Sequence, residues 1–235
     1  MMNSVMGQYV EKEKDRMMPQ SESHSLNDVI LRIDRVGSYR LVLRDEVTIG
    51  GPTGAGSSGQ IALFSQLSTN HAVIARRTNG YTIRPDQGAV SIKTPSTENE
   101  PPHAGKPDNL LIQETCLTNN CRASLGNQVT VSVRRKSPLS QTAVLEVDPL
   151  DRMVDRVDGV VLMENLLLMG PGSQAHIRCP HWEQSGVLIY QQGKFHFRSP
   201  VGRETAAEQK FVDLPVPFDQ HVEQDDFGFY LETLY

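Results

Sequence analysis

The chain has 235 residues, 38% of them hydrophobic and 22% charged, with a formal net charge of −5. That length is comfortable for two small domains, and the acidic balance lacks the basic surplus expected of a nucleic-acid binder. The three cysteines, Cys116, Cys121 and Cys179, follow no known disulfide framework and read as free thiols in a reducing compartment. No apolar run approaches the roughly 20 residues that span a bilayer. The charged N-terminal stretch lacks the apolar core of a secretory signal. A cytoplasmic protein without membrane contact is expected.

In chain order, residues 1–27 are polar and patternless, and are expected to be a disordered tail with a short helix between Tyr9 and Met17. Regular structure begins at VILRID, Val29 to Asp34, where apolar positions recur with the period of a strand. YRLVL (Tyr39 to Leu43) and VTIG (Val47 to Gly50) follow as strands after turn signals. The stretch Gly50 to Gly59 holds five glycines. It lacks the Gly-Lys-Ser/Thr ending of a nucleotide-binding loop and reads as a mobile surface loop. HAVIA (His71 to Ala75) and YTIRP (Tyr81 to Pro85) flank Asn79-Gly80, the strongest short signal for a β-hairpin. Thr94 to Asn109 carries four prolines and no strand pattern, so it is read as a loop insertion. LLIQETCL, ASLGNQVTVSVRR and TAVLEV supply further strands.

Residues 149–156 are polar and are placed as a linker between units at 28–148 and 157–235. After it the pattern repeats. LMENLLLMG (Leu162 to Gly170) mirrors LRDEVTIG, HIRCP (His176 to Pro180) falls where QIALF fell, and VLIYQQGKFHFRSP mirrors VIARRTNGYTIRP. A repeat of roughly a hundred residues implies two similar domains, because solenoid periods are ~20–50. The expected fold is all-β: two consecutive β-sandwich units, the second abbreviated, after the tail.

LVLRDEVTIGG, the Ser68-x-x-His71 spacing before Ala-Val-Ile, and the hairpin containing Gly80-Tyr81-Thr82-Ile83 and Asp86 resemble the forkhead-associated (FHA) family, in a bacterial tandem form. The resemblance covers Val29 to Val147 well and Val157 to Tyr235 more loosely. It implies a β-sandwich that binds phosphothreonine peptides through loops at one end. It makes Ser68 the phosphate-contacting serine, Thr69 its assistant and His71 the support of their loop. Two of the family's features are missing. The arginine that follows the glycine and holds phosphate is replaced by Gly51, and Asp86 to Ser91 contains no Asn-Gly-Thr, so that Ser91 stands in. A phosphothreonine carries nearly two charges. Loss of one charged hydrogen bond, about 1.5–3 kcal/mol, weakens binding ten- to over a hundred-fold. Arg76 and Arg77 on the hairpin, together with Arg84 and Lys93, are the candidate replacements. Each reads first as a solvated strand residue. In the second unit Gly170 precedes Pro171, and Leu188 lies where a histidine would follow Ser185.

Two functions follow from the resemblance. The first is a phosphothreonine-dependent docking protein that uses Ser68 and Thr69. The second is a phosphorylation-independent scaffold on the same fold. An enzyme is not expected, because no nucleophile–base constellation or paired acid and base is visible. No cofactor or metal is expected: Cys179-Pro180-His181, with His176 nearby, lacks the second ligand pair of a zinc site. Trp182, the single tryptophan, reads as core, with an exposed interface anchor as the alternative. Met163 and Met169 read as core. The expected partner is a protein, with phosphothreonine on the first reading and without it on the second.

Overall fold

The computed structural model describes residues 28–53, 59–93, 109–111, 113–119, 121–137, 140–149, 153–201 and 210–234. The expected tail and its short helix lie outside these residues, as do half of the glycine-rich loop and most of the proline-rich insertion. The regular structure of the described residues is all β, in three sheets.

The first alternating runs form β1 (Asp28–Ile33) and β2 (Gly37–Val42), an antiparallel pair with Leu31 opposite Tyr39. β3 (Glu46–Gly50) then runs parallel to the short β4 (Gln60–Ala62). β5 (Ala72–Arg77) and β6 (Gly80–Pro85) form the hairpin that Asn79-Gly80 announces. β7 (Val90–Lys93), β8 (Asn109–Leu110), β9 (Thr115–Leu117), β10 (Arg122–Leu125), β11 (Val129–Arg135) and β12 (Ala143–Asp148) complete this half. The second half holds β13 (Gly159–Leu162), β14 (Leu166–Gly170), β15 (Ile177–Arg178), β16 (Gly186–Gln191), β17 (Lys194–Val201), β18 (Lys210–Val216), β19 (His221–Gln224) and β20 (Phe227–Thr233).

The two five-stranded sheets share a pattern of strand order. One five-stranded sheet has the order β4-β3-β5-β6-β9 and the other β15-β14-β16-β17-β18, each with a single parallel pair at its edge. The remaining strands form one ten-stranded sheet, β19-β20-β1-β2-β13-β12-β11-β10-β7-β8. The expected boundaries at 148 and 157 do not coincide with a break in that sheet. β13 pairs with β12 on one side and runs parallel to β2 on the other, and β1 pairs with the last strand, Leu31 opposite Leu231.

Each small sheet packs on one face of the large one. The first core gathers Ile49, Ile61, Ile74 and Ile83 with Leu145, Val147, Val160 and Leu162. The second gathers Met169, Trp182, Leu188, Phe197 and Phe229 with Val29, Leu31 and Leu41. β12 and β13 therefore complete the first core, whereas β1 and β2 give most of their apolar side chains to the second. Trp182, Met163 and Met169 are buried there, and Trp182 meets Phe227 edge-on at 4.7 Å between ring centroids. Tyr81 ties the first small sheet to the second half: its Oη lies 2.7 Å from the Gln141 carbonyl and 3.0 Å from that of Leu162.

The turn between β14 and β15 is held by His176. Its backbone N–H donates to the Leu168 carbonyl at 2.9 Å, and the Leu168 N–H donates back to Nδ1 at 3.0 Å. An accepting Nδ1 requires a neutral ring. Burial, with a smaller contribution from nearby Lys136, holds the His176 pKa below its ordinary 6.5. The unfolded chain therefore takes up this proton first. The contribution is complete above the unfolded value and is lost as pH falls through the lower folded one. Urea midpoints at about pH 7.5 and about pH 5 should fall further for the wild type than for His176→Gln. An equal fall in both proteins would remove His176 from the pH response.

Candidate functional site

The loop end of the first small sheet is assembled around His71. The His71 N–H donates to the Ile49 carbonyl at 3.1 Å, and its own carbonyl accepts from Asp86 at 3.0 Å and Gly88 at 3.1 Å. The imidazole is buried, and Nε2 donates to the Ala89 carbonyl at 2.8 Å. A Cβ on Gly88 would fall inside the imidazole, so only glycine lets the chain pass this close. His71 thus fastens the 86–89 turn to the 68–71 loop without facing solvent, the support role expected of it.

Ser68 and Thr69 sit on this platform. The Ser68 hydroxyl donates to the Gln87 carbonyl at 2.9 Å, and its backbone carbonyl accepts from the Gly51 N–H at 2.9 Å. Thr69 is exposed, as are Asp86 and Gln87 of the facing turn. Beneath them, the buried Gln60 side-chain amide donates to the Gly51 carbonyl at 3.0 Å and to that of Thr69. Ser91 lies two residues beyond Ala89, in β7 between Ser124 and Leu110. The structure therefore brings Ser68, Thr69 and His71 together, with Ser91 close in the chain.

Arg76 and Arg77 lie elsewhere, whereas Arg84 stands in β6 opposite Val73, nearer the loop end. Arg76 and Arg77 end β5 at its hairpin, roughly 17 Å along the strand from its start beside the Ser68 loop, at ~3.3 Å per residue. Arg76 binds the Asp45 carboxylate at 2.5 Å, and Arg77 binds Glu46 at 2.8 Å and Glu114 at 2.9 Å. Thr82 and Arg77 together hold the Glu114 carboxyl below the ordinary carboxylate range. Arg84 faces Glu46 at 3.9 Å. The facing turn itself carries the exposed Asp86.

Position 51 explains why a cation does not stand where the resemblance places one. A Cβ on Gly51 would press into the Leu67 backbone carbonyl, so the Ser68 loop lies against this glycine. An arginine there requires the loop itself to move.

Sequence reasoning passed over two features of this end. Gln60 reads as an ordinary strand residue in QIALF, and nothing local marks a side chain that bridges two carbonyls. Phe64 is 58% exposed in the loop that leads from β4 to Ser68. An apolar residue next to a strand gives no sign of facing outward.

In the second half, Ser185 is exposed and packs against Gly170. Cys179 is buried, and its thiol pKa is pushed up to about 12 by that burial, whereas His181 is exposed. The three cysteines are free thiols. Among the described residues no group of three metal-ligating side chains converges, and no helix is long and apolar enough to cross a membrane.

No family model, curated protein or solved structure matches this chain.

Proposed function

We propose that this chain is a non-enzymatic protein-interaction module of the forkhead-associated type, cytoplasmic in setting, whose loop end docks a protein partner without requiring phosphate. The observation that carries this reading is the commitment of the polar groups. Ser68 donates its hydroxyl inward to Gln87. The candidate cations Arg76 and Arg77 are held in ion pairs at the far end of β5. A phosphate dianion at Ser68 would meet one serine, one threonine and the nearby Asp86, without Arg76 or Arg77, and with Arg84 turned toward Glu46 at 3.9 Å. The platform is held through His71 and Gln60, and Phe64 is exposed on the loop that leads into it. A large exposed apolar side chain on a supported loop is a suitable interface anchor.

Fluorescence anisotropy with a degenerate phosphothreonine peptide library and its unphosphorylated counterpart tests this. The two should bind within roughly two-fold of each other, since a charge-assisted contact would separate them by ten-fold or more. A phosphate preference above ten-fold that disappears in Ser68→Ala would overturn the reading and restore the phosphothreonine-dependent one.

A further inference from the structure

The internal repeat creates two equivalent grooves, and only one of them is filled. Each small sheet ends at a short edge strand, β4 or β15, lying over a face of the ten-stranded sheet. Beside β4, the chain fills the groove with the segment that follows β12. Met153, 2% exposed, bridges antiparallel to Leu63. The Val154 N–H donates to the Ala62 carbonyl at 3.0 Å. The Asp155 carboxylate accepts from buried Arg40 at 2.5 Å. The segment is thus joined to the edge of β4 by one bridge and then turns, with an apolar anchor and a carboxylate two residues later.

β15 stands to β14 as β4 stands to β3. Both pairs are parallel. The Cys179 N–H donates to the Gly170 carbonyl at 2.8 Å, as the Leu63 N–H does to that of Gly50 at 2.8 Å. Arg178 therefore corresponds to Ala62. Yet along β15 there is a cleft of about 560 Å3, bounded by the outer face of β11 and β12. That volume lies within the range of ligand pockets.

Its lining has a definite chemistry. Val144, half-buried, supplies apolar surface, and Arg134 is neutralised by Glu146 at 2.7 Å. Asp158 accepts from the Ser38 N–H at 2.8 Å. Lys136 donates to the Ser173 carbonyl at 3.3 Å, and Arg178 is exposed with no carboxylate partner among the described residues. With Asp158 counted, three cations face two carboxylates in the lining, and the net charge is positive by one.

We propose that this cleft receives a segment of a protein partner, bridged to the edge of β15, with an apolar side chain over Val144 and a carboxylate two residues on toward Lys136 and Arg178. The chain's own Met153-Val154-Asp155 is the pattern for that segment. Backbone pairing at the strand edge gives affinity, and the apolar and acidic side chains give selectivity. This site lies in the other half of the repeat from the Ser68 loop and does not depend on it.

The test is an NMR titration of the full chain with the capped hexapeptide Ser-Gly-Met-Val-Asp-Gly. Saturable shifts are expected at the Ser173, His176 and Arg178 amides, with a Kd on the order of 1 mM, a few kcal/mol of binding. Lys136→Glu, or replacing the peptide Asp with Asn, should weaken binding roughly ten-fold or more. Phe64→Ala should leave it unchanged. The absence of saturable shifts at those amides, or binding indifferent to Lys136→Glu, would overturn the proposal. So would a dimer of the full chain in sedimentation that Arg178→Glu dissociates, because the occupant would then be a second copy.

Discussion

A chain cut after Asp148 is expected to lose cooperative folding, although it retains every strand of the first small sheet. β1 would lose β20, and β2 and β12 would both lose β13. Val29, Leu31 and Leu41 have no exposed surface in the intact chain and pack among Trp182, Phe197 and Phe229. Uncovering these three costs about 1.5–3 kcal/mol each, which together approaches the whole 5–15 kcal/mol stability typical of a domain. The first core loses Val160 and Leu162 as well. Calorimetry on residues 28–148 should show no sharp transition, and the intact chain should melt in one. Co-expressed pieces 28–148 and 149–235 should reassemble one-to-one by size-exclusion chromatography. A cooperative melt of 28–148 alone, close to that of the intact chain, would mean that β1 and β2 can turn back onto their own half.

This exchange of strands explains what was and was not legible in the sequence. The hairpin at Asn79-Gly80 and the strands of both small sheets depend on local alternation and turn chemistry, and these are visible in a window of ten residues. The segments of the two small sheets keep the same order along the chain. The partners of β1 were not. VILRID reads as a half-buried strand with Ile30, Arg32 and Asp34 on the outer side. In the structure Ile30 faces the first core while Val29 and Leu31 face the second. A short continuous apolar run is the signature of burial on both faces, but no local feature says that the covering strand comes from the C-terminus. The candidate site divides in the same way. Ser68, Thr69 and His71 are neighbours in sequence and remain so in space. Arg76 and Arg77 are also near in sequence, but an extended strand carries them away from the loop at ~3.3 Å per residue.

Arg40 shows the limit from the other side, and its replacement should be the most damaging single change. In YRLVL an arginine between apolar residues reads as the solvent-facing position of a strand. Its guanidinium is instead fully buried beneath β4. Nε donates to the Asp28 carboxylate at 2.9 Å, and Nη1 donates to the Gln60 carbonyl at 2.7 Å and to Asp155 at 2.5 Å. One side chain thus joins the first strand, the edge strand under the Ser68 platform and the segment that fills the neighbouring groove. Arg40→Ala leaves the Asp28 carboxylate buried with Arg44 as its remaining cation, at 2.8 Å. Breaking a buried pair by removing one partner costs about 3–5 kcal/mol. The urea midpoint should drop accordingly at an unchanged slope. The double variant Arg40→Met, Asp28→Leu should recover most of the loss, since a buried pair is often replaceable by packed apolar groups. A loss below about 1 kcal/mol in Arg40→Ala would mean that water reaches the carboxylate. The coupling between β1, β4 and the 153–155 segment would then have to come from Met153 and the backbone alone.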